Sequence, residues 1–120
     1  MNEHRYTTEE RITQLTKLAA ALRNAIPAVA SHSPVAHRDV EFRAALAECE
    51  RLLQTGFTQE ELSTLSRAVP NLFPRYKDWM PPMERAPNGQ LFEAPWFAEL
   101  DAKLQPVVHA AEKLRQVGYY

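Results

Sequence analysis

The stretch Thr7–Ile26, TTEERITQLTKLAAALRNAI, decides the fold class. Thr7 and Glu10 stand three apart, the spacing of a capping box in which each side chain satisfies an amide left free by the first helical turn. Ile12, Leu15, Leu18, Ala19, Leu22 and Ile26 then recur at steps of three and four, which places them on one face of a 3.6-residue helix. Glu10, Arg11, Gln14, Lys17 and Asn24 flank or oppose that face. Pro27 is expected to end the helix, because proline disfavours helical geometry in the residue before it.

The same signals recur downstream. Residues Ala28 to His37 read as a connection rich in small residues, and a second helix starts between Pro34 and Asp39. Its stripe is Phe42, Ala45, Leu46, Cys49, Leu52 and Leu53, and Gly56 stops it where a left-handed residue is favoured. In the third helix Thr58 is the cap, Glu61 completes the box, and Phe57 can staple onto Leu62. Leu62, Leu65 and Val69 form its buried edge before Pro70. The last helix opens at Pro95, a favoured first-turn residue, and Gly118 closes it. Trp96, Phe97, Leu100, Leu104, Val107, Val108, Ala111 and Leu114 define its apolar side. At 100° per residue Pro106 falls away from that side, beside Ala102 and His109, and can bend the helix without entering the core. The expectation is an all-α, irregular four-helix bundle over a single domain, residues 1–120, with helices at 7–26, 36–55, 58–69 and 95–117.

Between the third and fourth helices the chain changes character. Six of the nine prolines lie between Pro70 and Pro95. Ala86-Pro87-Asn88-Gly89 suits a type I turn, proline fixing its second position and glycine its fourth. That turn allows a short hairpin, Met83 to Ala86 against Gln90 to Glu93, although two strands alone are marginal in water. Asn71 to Trp79 has room for a helical turn.

Composition narrows the functional classes. The 120 residues carry a formal charge of −1, and acidic and basic groups are spread evenly along the chain. A nucleic-acid binder gathers Lys and Arg on one face, because phosphate neutralisation supplies most of its affinity, so no nucleic-acid partner is expected. No apolar run approaches the ~20 residues that span a bilayer, and the N-terminus MNEHRYTTEE has no apolar leader core. The expected compartment is the cytoplasm, with no membrane partner.

Candidate chemistry is sparse. His32 and His37 are five apart in a connection, with no partner at metal-ligand spacing. His4 falls in a terminus expected to fray, and His109 projects to solvent. Cys49, the single cysteine, sits inside an apolar stripe, where a thiol behaves as a small buried hydrophobe. With three glycines the chain has no phosphate cradle. Thr58-Gln59-Glu60-Glu61-Leu62 resembles the opening of helix-turn-helix units, but Val69-Pro70-Asn71-Leu72-Phe73-Pro74 supplies no recognition helix. No catalytic, cofactor-binding or metal-binding residues are assigned.

The distinctive stretch is Phe73 to Phe97, which holds both tryptophans and six of the eleven aromatics. Trp, Tyr, Met and Arg are enriched at interface cores, and proline stiffens a loop before it binds. The candidate partner-binding residues are Phe73, Arg75, Tyr76, Lys77, Trp79, Met80, Met83, Arg85, Phe92 and Trp96. The leading expectation is a non-catalytic interaction protein, of the small immunity or adaptor type, that binds a protein partner through this segment. Two alternatives stand beside it. One is a homodimer that buries the segment between protomers. The other is a small enzyme using Asp78, Glu84 or His37 in a pocket against the tryptophans. The same rings can also simply cap an open end of the bundle.

Overall fold

A computed structural model describes residues 4–32, 35–70, 83–116 and 118–119. Four helices form the body: α1 (Thr8–Ser31), α2 (Asp39–Thr55), α3 (Gln59–Ala68) and α4 (Pro95–Arg115), with a 3-10 turn at Ala36–Arg38 leading into α2. Two small antiparallel sheets complete it. Strand β1 (His4–Arg5) pairs with β4 (Gly118–Tyr119), and β2 (Met83–Arg85) pairs with β3 (Leu91–Glu93). The all-α bundle expected from the apolar periodicity is the fold, and the short hairpin precedes the last helix. Among the described residues no helix is long and apolar enough to cross a membrane.

The caps fall where the sequence puts them. The Thr7 hydroxyl accepts from the Glu10 N–H at 3.1 Å, and the Glu10 carboxylate accepts from the Thr7 N–H at 2.9 Å. Thr58 and Glu61 repeat this exchange at α3. Gly56 ends α2 with φ +89°, a conformation open to glycine and costly to other residues. Pro95 opens α4.

Leu15, Leu18, Leu22, Val29, Phe42, Leu52, Leu100, Val107 and Leu114 are all fully buried in one continuous core. Helix α1 is its axis and packs against both α4 and α2; α3 packs chiefly on α4 and touches α2 lightly.

Four expectations need correction. Pro27 does not end α1, which continues to Ser31. Pro27 and Arg23, four residues earlier, are both exposed, so the carbonyl that proline leaves unbonded lies on the wet side of the helix. Beyond it Val29 is fully buried, and that burial holds the last turn. Ile12, assigned to the apolar face, is 43% exposed, whereas Arg11, assigned to its flank, is 5% exposed. The buried line of α1 runs 11, 15, 18, 22, 25 and 29, at the spacing of one helical face. The terminus around His4 pairs with the chain end, His4 opposite Tyr119 and Arg5 opposite Gly118. Accordingly α4 ends at Arg115 rather than Gly118, which lies in β4.

Burial of Arg11 is made tolerable by its partners. Its guanidinium donates to Gln14 Oε1 at 2.9 Å, to the Lys113 carbonyl at 3.0 Å, and to Gln59 Oε1 and the Gln116 carbonyl. It also lies 4.7 Å from the centre of the Tyr6 ring, within cation–π range. Desolvation pulls its pKa down, opposed by the fields of Tyr6 and Glu10. Gln59 continues the network by donating to the Leu114 carbonyl at 2.9 Å.

Arg11→Ala removes the donor to these acceptors and is expected to lower stability by about 3 kcal/mol. Arg43→Ala, which removes an exposed i,i+4 pair with Asp39, is expected to stay within about 0.5 kcal/mol; urea midpoints compare the two. At Gly56 a Cβ would meet nothing within 4 Å. Gly56→Ala is therefore expected to cost about 1–3 kcal/mol through backbone conformation alone, read by the same unfolding experiment.

Candidate functional site

The hairpin is built by its turn. The Gly89 N–H donates to the Ala86 carbonyl at 2.9 Å, closing the four-residue turn around Pro87 and Asn88, and Gly89 takes φ +87°. The Ala86 N–H reaches the Gln90 carbonyl at 2.8 Å, the Asn88 side chain accepts from the Gln90 N–H at 3.0 Å, and Arg85 Nη1 donates to the Gly89 carbonyl at 3.1 Å. Register pairs Met83 with Glu93, Glu84 with Phe92 and Arg85 with Leu91. Side chains alternate across a strand pair, so Met83, Arg85, Leu91 and Glu93 share one face, and Glu84 and Phe92 the other.

Among the described residues the two strands pack chiefly on each other and make no substantial contact with a helix. Met83 is 46%, Leu91 59% and Phe92 40% exposed. Buried Ala94 then leads straight into Pro95 and α4, so a rigid helix carries the hairpin.

Of the ten residues the sequence singles out, Met83, Arg85 and Phe92 stand on this hairpin. Trp96 does something different. It is half-buried against the core and stacks on His32, with ring centres 5.0 Å apart and planes at 21°. His32 is thereby a packing partner rather than a free surface histidine. Phe73, Arg75, Tyr76, Lys77, Trp79 and Met80 lie outside the described residues, as does Asp78. His37 is exposed in the 3-10 turn and Glu84 is exposed on the hairpin, two elements that make no substantial contact with each other among the described residues. Nor do three His, Cys, Asp or Glu side chains gather there at metal-binding distance.

The structure also shows a surface that sequence reasoning missed. Helices α2 and α3 diverge from Gly56 and leave a groove of about 640 Å³ between them, within the range of ligand-binding clefts. Ala45 and Leu65 form its buried floor, with Ala44, Thr64 and Ala68 on the exposed walls. Glu41, Glu48, Glu60 and Glu61 line it together with Arg51. Hydrogen bonds from Arg38 and Arg51 hold Glu41 and Glu48 below the usual carboxylate range. Arg51 also reaches Glu61 at 3.2 Å, tying the two helices near their shared loop. Small residues at 44, 45 and 68 were the available signal, but alanine is also a common helix filler.

Comparison with protein-family models, curated proteins and solved structures finds no match for this chain.

Cys49 is fully buried, and burial pushes its thiol from 9.0 up to about 12. A thiol kept neutral is a poor nucleophile. The native protein is expected to resist a thiol-specific disulfide reagent at pH 8 and to react with it once unfolded in urea. Because the unfolded thiol ionises first, stability is expected to fall as pH rises from about 9 towards 12, by at most about 1.4 kcal/mol per pH unit. Cys49→Ala should lose that alkaline slope in pH-dependent urea titrations.

Proposed function

We propose that the protein is a non-catalytic cytoplasmic interaction module, of the small adaptor or immunity type, whose projecting hairpin docks on a protein partner. One observation carries this reading: a turn-stabilised hairpin presents Met83, Leu91 and Phe92 to solvent and, among the described residues, makes no substantial contact with a helix. Two-stranded hairpins are marginal in water unless a third strand or a packed face supports them. An exposed strand edge is also a ready template for pairing with another chain. Arg85 and Glu93 add one charge of each sign beside Met83 and Leu91, so the face suits a partner of mixed polarity.

Homodimerisation is the second reading, favoured by that same pair of charges. A two-fold axis through the face would set Arg85 of one copy against Glu93 of the other, as an isologous contact requires.

A Leu91→Ser/Phe92→Ser double variant tests the hairpin. Both positions are exposed, so the melting temperature is expected to stay within a few degrees of the parent. Affinity capture from a native lysate should recover a stoichiometric partner with the parent protein and lose it with the double variant. Equal recovery by both would remove the hairpin from the reading. Light scattering on the purified protein should return the monomer mass; a dimer abolished by the double variant would select the second reading.

A further inference from the structure

From the α2–α3 groove, a surface separate from the hairpin, we infer a second binding site that receives a cationic amphipathic helix of a partner protein. The shape argues for a helix. The groove is bounded by two helices whose facing residues Ala44, Ala68 and Thr64 are small, so a third backbone can come close. Side-chain ridges of an incoming helix fit the trough between two others, and Leu65 and Ala45 at the bottom offer an apolar floor. Recognition of an amphipathic helix through anchors at i, i+3, i+4 and i+7 uses this kind of surface.

The charge argues for a cationic occupant. Four glutamates and one arginine line the groove, a formal charge of −3 on a chain whose total is −1. That arginine, Arg51, is engaged by Glu48 and Glu61. Glu60 is exposed, with no hydrogen bond or ion pair among the described residues. Glu41 and Glu48 are seven residues apart on one wall, a separation of about 10 Å along the helix. Arg38 and Arg51 already pair with these two carboxylates, so lysines or arginines two turns apart on a partner helix would share them and add a contact with Glu60. Nucleic acid, which needs the opposite charge, is a poor occupant.

The groove is also already open. Gln59 bonds the Leu114 carbonyl, and Ser66 Oγ bonds the Ala111 carbonyl at 2.6 Å, so α3 is fastened to α4 and not to α2 along most of its length. An occupant therefore finds its seat formed, which reduces the ordering cost of binding.

The probe is a fluorescein-labelled synthetic peptide of about 18 residues, leucines on one helical face and lysines on the other, followed by fluorescence anisotropy. A copy with glutamate in place of lysine is the control. Saturable binding of the lysine peptide is expected, weakening as salt rises, with no binding of the glutamate copy. Ala44→Trp, which fills the trough, and a Glu41→Lys/Glu60→Lys double variant should each weaken binding at least about ten-fold. All three positions are exposed, and an unchanged far-ultraviolet dichroism spectrum would confirm that the variants fold. The Leu91→Ser/Phe92→Ser hairpin variant should bind the peptide as the parent does, separating this site from the hairpin. Absence of binding, equal binding by the groove variants, or loss of binding in the hairpin variant would each overturn the inference. So would a dimer that Ala44→Trp dissociates, since the groove would then belong to a second copy.

Discussion

A single buried cation sets how the ends of this bundle meet. Arg11 brings together Gln14 of α1, Gln59 at the start of α3, and the Lys113 and Gln116 carbonyls at the end of α4. A planar guanidinium carries five donors in a fixed fork, and few other side chains can satisfy acceptors from three segments at once. The last carbonyls of α4 also present the negative end of the helix dipole, which favours a cation there. Desolvation of the charge is thus offset by several charge-assisted hydrogen bonds, the face of Tyr6 and the field of Glu10. The Tyr6 hydroxyl in turn donates to Gln116 Oε1 at 3.3 Å, and the β1–β4 pair lies just beyond.

That arrangement decides where the third helix goes. A short link from α2 to α3 would allow the two to pack side by side. Instead Gln59 and Ser66 hydrogen-bond carbonyls of α4, while Arg51 and Glu61 tie α3 to α2 only near the loop. Polar ties of known direction outweigh proximity along the chain. The core stays continuous because α1 contacts both α2 and α4, and the space that α3 vacates beside α2 becomes the groove. The groove follows from the same polar residues that order the α3–α4 interface.

Local chemistry was legible in the sequence, and tertiary satisfaction was not. Thr7 with Glu10, Thr58 with Glu61, Gly56, Pro95 and Pro87-Asn88-Gly89 act within a few residues of themselves, so spacing alone discloses them. Arg11 stands four residues before Leu15 and seven before Leu18, on the line of burial. Its charge argued for solvent, and the acceptors that reverse that preference lie 48 to 105 residues away. Pro27 misled for a related reason: its local cost is real, but Val29 beyond it gains full burial. The stacking of Trp96 was not legible either, because the His32 ring it meets comes from the far end of α1. The groove depends on a helix crossing that no single element encodes.

The two proposed surfaces differ in how they are held, and that difference bears on how each would bind. The groove has walls fixed by core burial and by hydrogen bonds to α4, so its shape does not depend on an occupant. The hairpin has its turn fixed by Gly89, Asn88 and Arg85, but its strands are three residues each and, among the described residues, no helix packs substantially on them. A partner that adds a strand or covers Phe92 would supply the missing support, and part of its binding energy would go into ordering the hairpin. Buried Ala94 and the core-packed Trp96 limit that loss, because they anchor the hairpin's exit strand to α4. A site of the first kind favours partners that fit an existing shape; one of the second kind can adjust, at some cost in affinity for the same contact area.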